Sequence, residues 1–101
     1  MAELMHYVLF RFKEGALTQN KKDDFESTFA ALKDNLSDDI LDHSVRFNCI
    51  ERDANMDVMV TLHLAGEQSL EKYIKHPLHT DFAKRTDPHL ESRCSFDCRL
   101  L

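Results

Sequence analysis

The sequence predicts an α+β fold whose elements follow the order strand, helix, strand, strand, helix, strand. Four segments have the period-two alternation or the β-branched and aromatic content of strands, and the regions between them place apolar residues at helical spacing. The chain has 101 residues, 43% of them hydrophobic and 31% charged. This length is enough for one globular domain over residues 1–101 and too short for two.

The first strand is predicted over residues 5–12, which are mostly aromatic and aliphatic. One side of this strand consists of His6, Val8, Phe10 and Phe12, and the other of Met5, Tyr7, Leu9 and Arg11. Both sides are therefore largely apolar, so both faces of the sheet around this strand must be covered.

The first helix is predicted to begin after Thr18, a residue type that commonly caps helix N-termini. Apolar residues then recur at spacings of four, three and four, and charged residues occupy the opposite positions. The apolar residues are Phe25, Phe29, Leu32 and Leu36. This pattern is typical of a helix that lies on a sheet and ends near residues 37–39.

Two further strands are predicted over residues 44–50 and 56–64, because both segments alternate with period two. Residues 52–55 are typical of a turn, so the two strands form a hairpin.

Residues 67–75 then have helical spacing until Pro77, which disfavours helical geometry at the residue before it. A second helical segment begins at Pro77, and residues 93–99 alternate as the fourth strand.

This order of elements predicts a ferredoxin-like βαββαβ sandwich, in which the helices pack on one face of a four-stranded antiparallel sheet. The helices can cover only that face, yet the first strand is apolar on both. We therefore expect a second copy of the chain to cover the other face, in a homodimer that packs sheet against sheet.

Composition excludes several classes of partner. The net charge of −5 repels polyphosphate, which argues against nucleic acid. No apolar run approaches the ~20 residues that a membrane span needs, and the first residues do not have the pattern of a secretory signal. We therefore expect a soluble cytoplasmic protein that binds neither nucleic acid nor membranes.

The three cysteines, Cys49, Cys94 and Cys98, lack the CxxC spacing of zinc or redox sites. An odd count of cysteines in a chain without an export signal indicates reduced thiols. We expect all three side chains to be buried as small apolar groups, because free cysteine is commonly buried.

Three of the six histidines are candidates for function. His6 lies on an apolar side of the first strand, while His76 and His79 flank the break at Pro77. An HxxH spacing can hold a metal, but no third ligand lies nearby in the sequence, so no metal site is predicted. Surface or interface positions are expected for the other three, His43, His63 and His89.

Tyr73 and His79 are six residues apart, and one straight helix would turn them ~240° away from each other. The break at Pro77 removes this objection. If the two side chains converge in an apolar pocket, a neutral imidazole beside a phenol forms a general base with a hydrogen-bonding partner. Spacing alone favours the alternative, in which Tyr73 packs at the helix–sheet junction and His79 caps the turn.

Two segments, HYVLFRFKEG at residues 6–15 and YIKHPLHTDFAK at residues 73–84, resemble the stress-responsive dimeric α/β-barrel (Dabb) family. Members of this family share a His-Pro-x-His-x-x-Phe signature on a helix. In this sequence the signature residues are His76, Pro77, His79 and Phe82. The resemblance implies a ferredoxin-like protomer whose dimer closes two sheets into a dimeric α/β barrel.

The family includes members of unknown activity, stress-induced plant proteins and a polyketide cyclase branch that closes a ring by aldol condensation. The resemblance to that branch implies that His79 is the base, Tyr73 its hydrogen-bonding partner and His6 a further pocket residue, with no cofactor and no metal. It also makes His76, Phe82 and Asp57 candidate ligand-binding residues. The cyclase branch has a histidine where this chain has Asp57, so we expect a different substrate.

We therefore expect a stress-responsive barrel protein of unassigned activity that binds a small molecule between sheet and helices. The alternatives are a polyketide-cyclase-like enzyme, a non-enzymatic stress-associated dimer and a cofactorless monooxygenase-like enzyme. A cavity lined by His6, Tyr73 and His79 would favour ligand chemistry, whereas a filled core would favour the structural alternative.

Overall fold

A computed structural model describes residues 2–100 of the protein. Its elements, in chain order, are β1 (Leu4–Phe12), α1 (Gln19–Asn35), β2 (Ile40–Phe47), β3 (Val58–Leu64), α2 (Glu67–Lys75), α3 (Pro77–Thr86) and β4 (Leu90–Arg99). A single 3-10 turn connects α3 to β4. This order confirms the predicted ferredoxin-like α+β fold, with the second helical region divided at His76.

The four strands form one antiparallel sheet in the order β2-β3-β1-β4, so β1 pairs with β3 on one side and with β4 on the other. The register places Val8 opposite Val60 of β3 and opposite Ser95 of β4. Alternate residues of β1 are buried beneath the helices. The residues of β4 opposite them, Arg93, Ser95 and Asp97, therefore belong to the same face of the sheet.

Several strand boundaries and the burial of the cysteines differ from the predictions: β1 begins one residue earlier, β3 two residues later and β4 three residues earlier than predicted, and both ends of β2 differ. β2 begins at Ile40, where the chain leaves α1, and a register shift follows directly, which hides the alternation in the sequence. β2 also ends at Phe47, so Cys49 lies exposed in the following loop. The prediction of buried cysteines was wrong: Cys49 and Cys94 are exposed and Cys98 is only partly buried, because Cys94 and Cys98 lie on the side of β4 that faces away from the helices.

Phe25 of α1 lies at the centre of the core and is fully buried. Its ring centroid lies 5.0 Å from that of Phe10 in β1 and 4.8 Å from that of Phe82 in α3, both in edge-to-face geometry. Phe29 and Leu32 continue the same buried stripe, as the helical spacing predicts. The core therefore joins the sheet to α1 and α3.

The carboxylate of Asp24 in α1 holds α3 in place. It accepts hydrogen bonds from two nitrogens of Arg85 in α3, at 3.2 and 3.0 Å, and from the hydroxyl of Thr28. Burial by itself raises the pKa of Asp24, but these bonds outweigh it and hold the pKa below its ordinary value. The charged pair therefore fixes α3, which carries His79, against α1.

The face of the sheet opposite the helices is apolar at its centre and is covered by no element of residues 2–100. We call this surface the open face, and its apolar residues on β1, β3 and the edge strand β4 are Met5, Tyr7, Leu9, Met59, Cys94, Phe96 and Cys98. Phe96 is 63% exposed, and its ring centroid lies 6.2 Å from that of Tyr7.

Within residues 2–100, every helix is too short or too polar to cross a membrane.

Replacing Phe25 with Ala should destabilise the fold by about 3–5 kcal/mol, because the substitution leaves a cavity among packed aromatic rings. Urea unfolding followed by circular dichroism measures this change. The matched control is Ile50→Ala, since Ile50 is 58% exposed in a loop, and we expect it to change the free energy of unfolding by less than about 0.5 kcal/mol. Equal effects of the two substitutions would contradict the central role of Phe25.

Candidate functional site

A cavity of about 270 Å³ lies between the sheet and the helices, next to β4. Its apolar wall is formed by Val8, Phe10, Phe29 and Phe82. The polar groups that line it are His6, Tyr73, His79, Thr86, Asp87, Arg93 and Ser95. A small apolar chamber with a few polar groups is the common form of a small-molecule site.

The break between α2 and α3 brings Tyr73 and His79 together. His76 has an extended backbone conformation, which ends α2 and lets α3 begin in a new direction at Pro77. The ring centroids of Tyr73 and His79 are consequently only 4.5 Å apart, in a tilted arrangement. Both rings line the cavity, so the two side chains converge, which spacing alone does not favour.

The hydrogen bond of His79 defines which ring nitrogen carries a proton. Nδ1 lies 2.9 Å from the carbonyl oxygen of Ile74, and a carbonyl can only accept, so Nδ1 donates. In the neutral ring Nε2 is then unprotonated and able to accept a proton. Burial lowers the pKa of His79, and the charges of Arg93 and His6 act in the same direction, against the bond to Ile74. His79 is therefore neutral near pH 7.

Tyr73 is 2% exposed, and its side chain lines the cavity. Within residues 2–100 every fully buried side-chain oxygen or nitrogen has a hydrogen-bond partner, so the Tyr73 hydroxyl, which bonds no other residue, is accessible from the cavity. Burial raises the pKa of the phenol well above its ordinary value, although the charge of Arg93 opposes this. Tyr73 therefore keeps its proton and can donate it in a hydrogen bond to a ligand in the cavity.

His6 is oriented by a carboxylate that the sequence analysis did not identify. Its Nδ1 lies 2.5 Å from Oδ1 of Asp97, which is directly opposite His6 in the pairing of β1 with β4. An ionised carboxylate only accepts, so Nδ1 donates, and in the neutral ring Nε2 is unprotonated. The His6 ring is 5.7 Å from that of Tyr73, between centroids. The pairing of first and last strands in the predicted fold was the signal that could have identified Asp97.

Arg93 is a second residue of the site that the sequence analysis missed. It lies opposite Phe10 on the helix-facing side of β4, and its Nη1 is 3.2 Å from Oδ1 of Asp87. Both residues line the cavity. The cavity is therefore lined by a guanidinium cation as well as by Tyr73 and His79.

Two of the predicted ligand-binding residues lie outside this cavity. Nδ1 of His76 accepts a hydrogen bond from the backbone of Leu78 at 3.1 Å, so His76 caps α3. Oδ2 of Asp57 accepts from the backbone of Phe12 at 2.7 Å, so Asp57 fixes the end of β1. Within the described chain, no three His, Cys, Asp or Glu side chains lie close enough to hold a metal ion.

Comparison with curated proteins gives no match. Among solved structures, a dimeric protein of unknown function with a ferredoxin-like fold from Bacteroides fragilis is similar, with 20% identity, a TM-score of 0.79, and coverage of 97% of this chain and 96% of that one. A Dabb family protein from Mesorhizobium loti has 18% identity, a TM-score of 0.69, and coverage of 100% and 99%. A hydroxynitrile lyase from Passiflora edulis has 14% identity, a TM-score of 0.79, and coverage of 98% and 94%. At these identities the likeness shows the fold.

The sequence itself identifies the family. The family model described as the stress responsive A/B barrel domain matches residues 4–100, which include every strand and helix of the structure. This confirms the resemblance of the segments at residues 6–15 and 73–84. The chain belongs to the stress-responsive A/B barrel domain (Dabb) family.

Proposed function

We propose that this stress-responsive A/B barrel protein, whose activity is unassigned, binds a small organic molecule in the cavity and transfers a proton there. His79 is the proposed base and Tyr73 the hydrogen-bond donor. The observation that carries the proposal is the position of the His79 imidazole, whose Nδ1 lies 2.9 Å from a carbonyl oxygen and whose ring centroid lies 4.5 Å from that of Tyr73. A general base needs an unprotonated nitrogen near its substrate, and this arrangement supplies one.

The cavity itself supports a ligand-binding role over a purely structural one. Its volume of about 270 Å³ is bounded both by aromatic rings and by the polar side chains of His6, Tyr73 and His79. This volume is just below the usual range for drug-sized ligands, which suits a ligand with a single ring.

In the proposed reaction, the hydroxyl of Tyr73 donates to a carbonyl oxygen of the substrate. Nε2 of His79 removes a proton from the neighbouring carbon, and the electron pair of that C–H bond forms an enolate. The hydrogen bond from Tyr73 stabilises the negative charge that develops on oxygen. If the enolate carbon then bonds to a second carbonyl of the same molecule, the imidazolium of His79 returns the proton to the new alkoxide.

Asp97 supports this site by fixing the orientation of His6. A buried imidazole held by a carboxylate has one rotamer and one tautomer, which positions Nε2 as an additional hydrogen-bond acceptor. The Passiflora edulis protein of similar fold is named a hydroxynitrile lyase, which supports the proposal that this fold can belong to an enzyme.

We further propose that two copies of the chain pack through the open face. In a single chain this surface leaves Phe96 exposed and Tyr7 and Leu9 partly exposed to water, and association would remove this unfavourable exposure. The Bacteroides fragilis neighbour is a dimer. An isologous two-fold interface would bury the same face of both copies.

We also propose a cytoplasmic location. All three cysteines are free thiols, and Cys49 and Cys94 are exposed on the single chain. Exposed thiols persist as thiols in a reducing compartment.

The exchange of deuterium from D2O into phenylacetone tests the acid–base proposal, because this single-ring ketone has acidic protons next to its carbonyl. We expect the protein to accelerate exchange, and His79→Gln to reduce the acceleration by about 100-fold or more. Tyr73→Phe should also slow exchange, since it removes the donor to the enolate. His89→Gln is the matched control, because His89 is exposed and outside the cavity, and it should retain the full rate. Undiminished exchange in His79→Gln would contradict the assignment.

The lowered pKa of His79 has a definite consequence for pH dependence. The imidazole should be less than half protonated at pH 6.5, so the exchange rate should rise with pH through the His79 pKa, below 6.5, and be constant well above it. Titration of the imidazole C–H signals by NMR measures this pKa, with the signal assigned by its loss in His79→Gln. A midpoint above 6.5 would show that His79 is not held neutral.

Phe96→Glu should convert the dimer to a monomer, because it places a charge on the most exposed aromatic side chain of the open face. Size-exclusion chromatography with light scattering should give twice the 11.8 kDa chain mass for the unmodified protein and the single mass for the variant. Ile50→Glu is the control, since Ile50 is similarly exposed but lies in a loop. A single-chain mass for the unmodified protein at micromolar concentration would refute the dimer.

A further inference from the structure

The cavity contains a guanidinium group, and we propose that Arg93 binds a carboxylate of the ligand, which is therefore a small single-ring organic acid. This inference rests on the proposed function and specifies its ligand class. Arg93 lines the cavity, has N–H groups that no other residue of the described chain binds, and belongs to a strand whose helix-facing side is polar.

The register of β1 with β4 divides the cavity into an apolar and a polar side. Arg93 lies opposite Phe10, and Ser95 lies opposite Val8, all on the helix-facing side of the sheet. All four residues line the cavity. A ligand whose ring packs on the aromatic wall therefore places a substituent at β4, beside the guanidinium and the hydroxyl.

Arg93 has donors to spare for a ligand. Its guanidinium carries five N–H groups, and within residues 2–100 its side chain has one hydrogen-bond acceptor, Oδ1 of Asp87 at 3.2 Å. Both side chains of this pair are about half exposed, so the ion pair contributes little to stability. The fold therefore does not require Arg93, and a ligand carboxylate can bind the remaining N–H groups in the planar two-point geometry that guanidinium favours.

The charges of the residues that line the cavity favour Arg93 as the group that binds a ligand carboxylate. Among the cavity-lining residues, Arg93 is the permanent cation and Asp87 the acidic residue. Asp97, at the other end of β4, is engaged by Nδ1 of His6. The positive charge of Arg93 acts to lower the pKa of both Tyr73 and His79, and all three side chains line the cavity. A carboxylate bound to Arg93 would therefore lie in the same cavity as the proposed base.

Two probes with the same ring test this proposal, namely benzoate and its neutral counterpart benzyl alcohol. Titration of the ¹⁵N-labelled protein at neutral pH, followed by amide shifts of cavity residues, gives both dissociation constants. We expect benzoate to bind about fivefold more tightly, because a carboxylate on a half-exposed guanidinium gains up to about 1 kcal/mol. Arg93→Met should remove this preference and leave benzyl alcohol binding within about twofold.

Two further variants make the test specific to this cation. Arg99→Met is the matched control, because Arg99 lies on the same strand and pairs with Glu67 outside the cavity, and it should retain the preference for benzoate. Asp87→Asn should tighten benzoate binding, since it removes the carboxylate that competes for Arg93. The spectra of all variants also show whether each is folded.

Equal binding of the two probes, or a preference that survives in Arg93→Met, would overturn the proposal while leaving the ligand cavity in place. Inorganic phosphate that binds Arg93 more tightly than benzoate would replace the ring-bearing acid with a phosphate ligand, and so would also overturn it. If neither ring probe shifts the cavity signals, this inference fails, and the proposed function stands only if the exchange of phenylacetone depends on His79. Exchange of phenylacetone that depends on His79 would separate these cases, since it requires the cavity and its base but not Arg93.

Discussion

The rest of the structure depends on how far the helix layer extends over the sheet. The burial of β1 and β3 alternates strictly along each strand, whereas nearly every residue of β4 is exposed. The helices therefore cover the centre of the sheet and leave β4 uncovered on both of its faces. On the side of the helices this leaves the cavity next to α3. On the opposite side it leaves the open face, which a second copy of the chain can cover.

A second constraint is the interruption of the helical region at Pro77. A continuous helix would point Tyr73 and His79 in different directions, and the extended backbone of His76 brings their rings together instead. The same break has a local cost, because it leaves backbone donors at the start of α3 without helical partners. His76 offsets this cost by accepting from Leu78, which explains why this histidine serves the helix and not the cavity.

Local signals in the sequence were sufficient for most of the fold and for part of the site. The alternation of β1, the apolar stripe of α1 and the break at Pro77 each depend on neighbouring residues, and each was predicted. Asp97 and Arg93 depend on the register between the first and last strands, which no local pattern contains. Asp57 illustrates the same limit, because its carboxylate binds the backbone of Phe12, 45 residues away. The exposure of Cys94 likewise follows from the missing cover over β4.

The polar residues of β4 show how this fold can separate stability from specificity. Arg93, Ser95 and Asp97 alternate along the strand, a pattern that in isolation predicts a face in contact with water. In the structure that face borders the cavity, because the neighbouring residues of β1 are buried while β4 has no helix above it. Side chains at these positions contribute little to the core centred on Phe25. They can therefore vary in charge and size to suit a ligand, while β1, α1 and α3 maintain the position of His79.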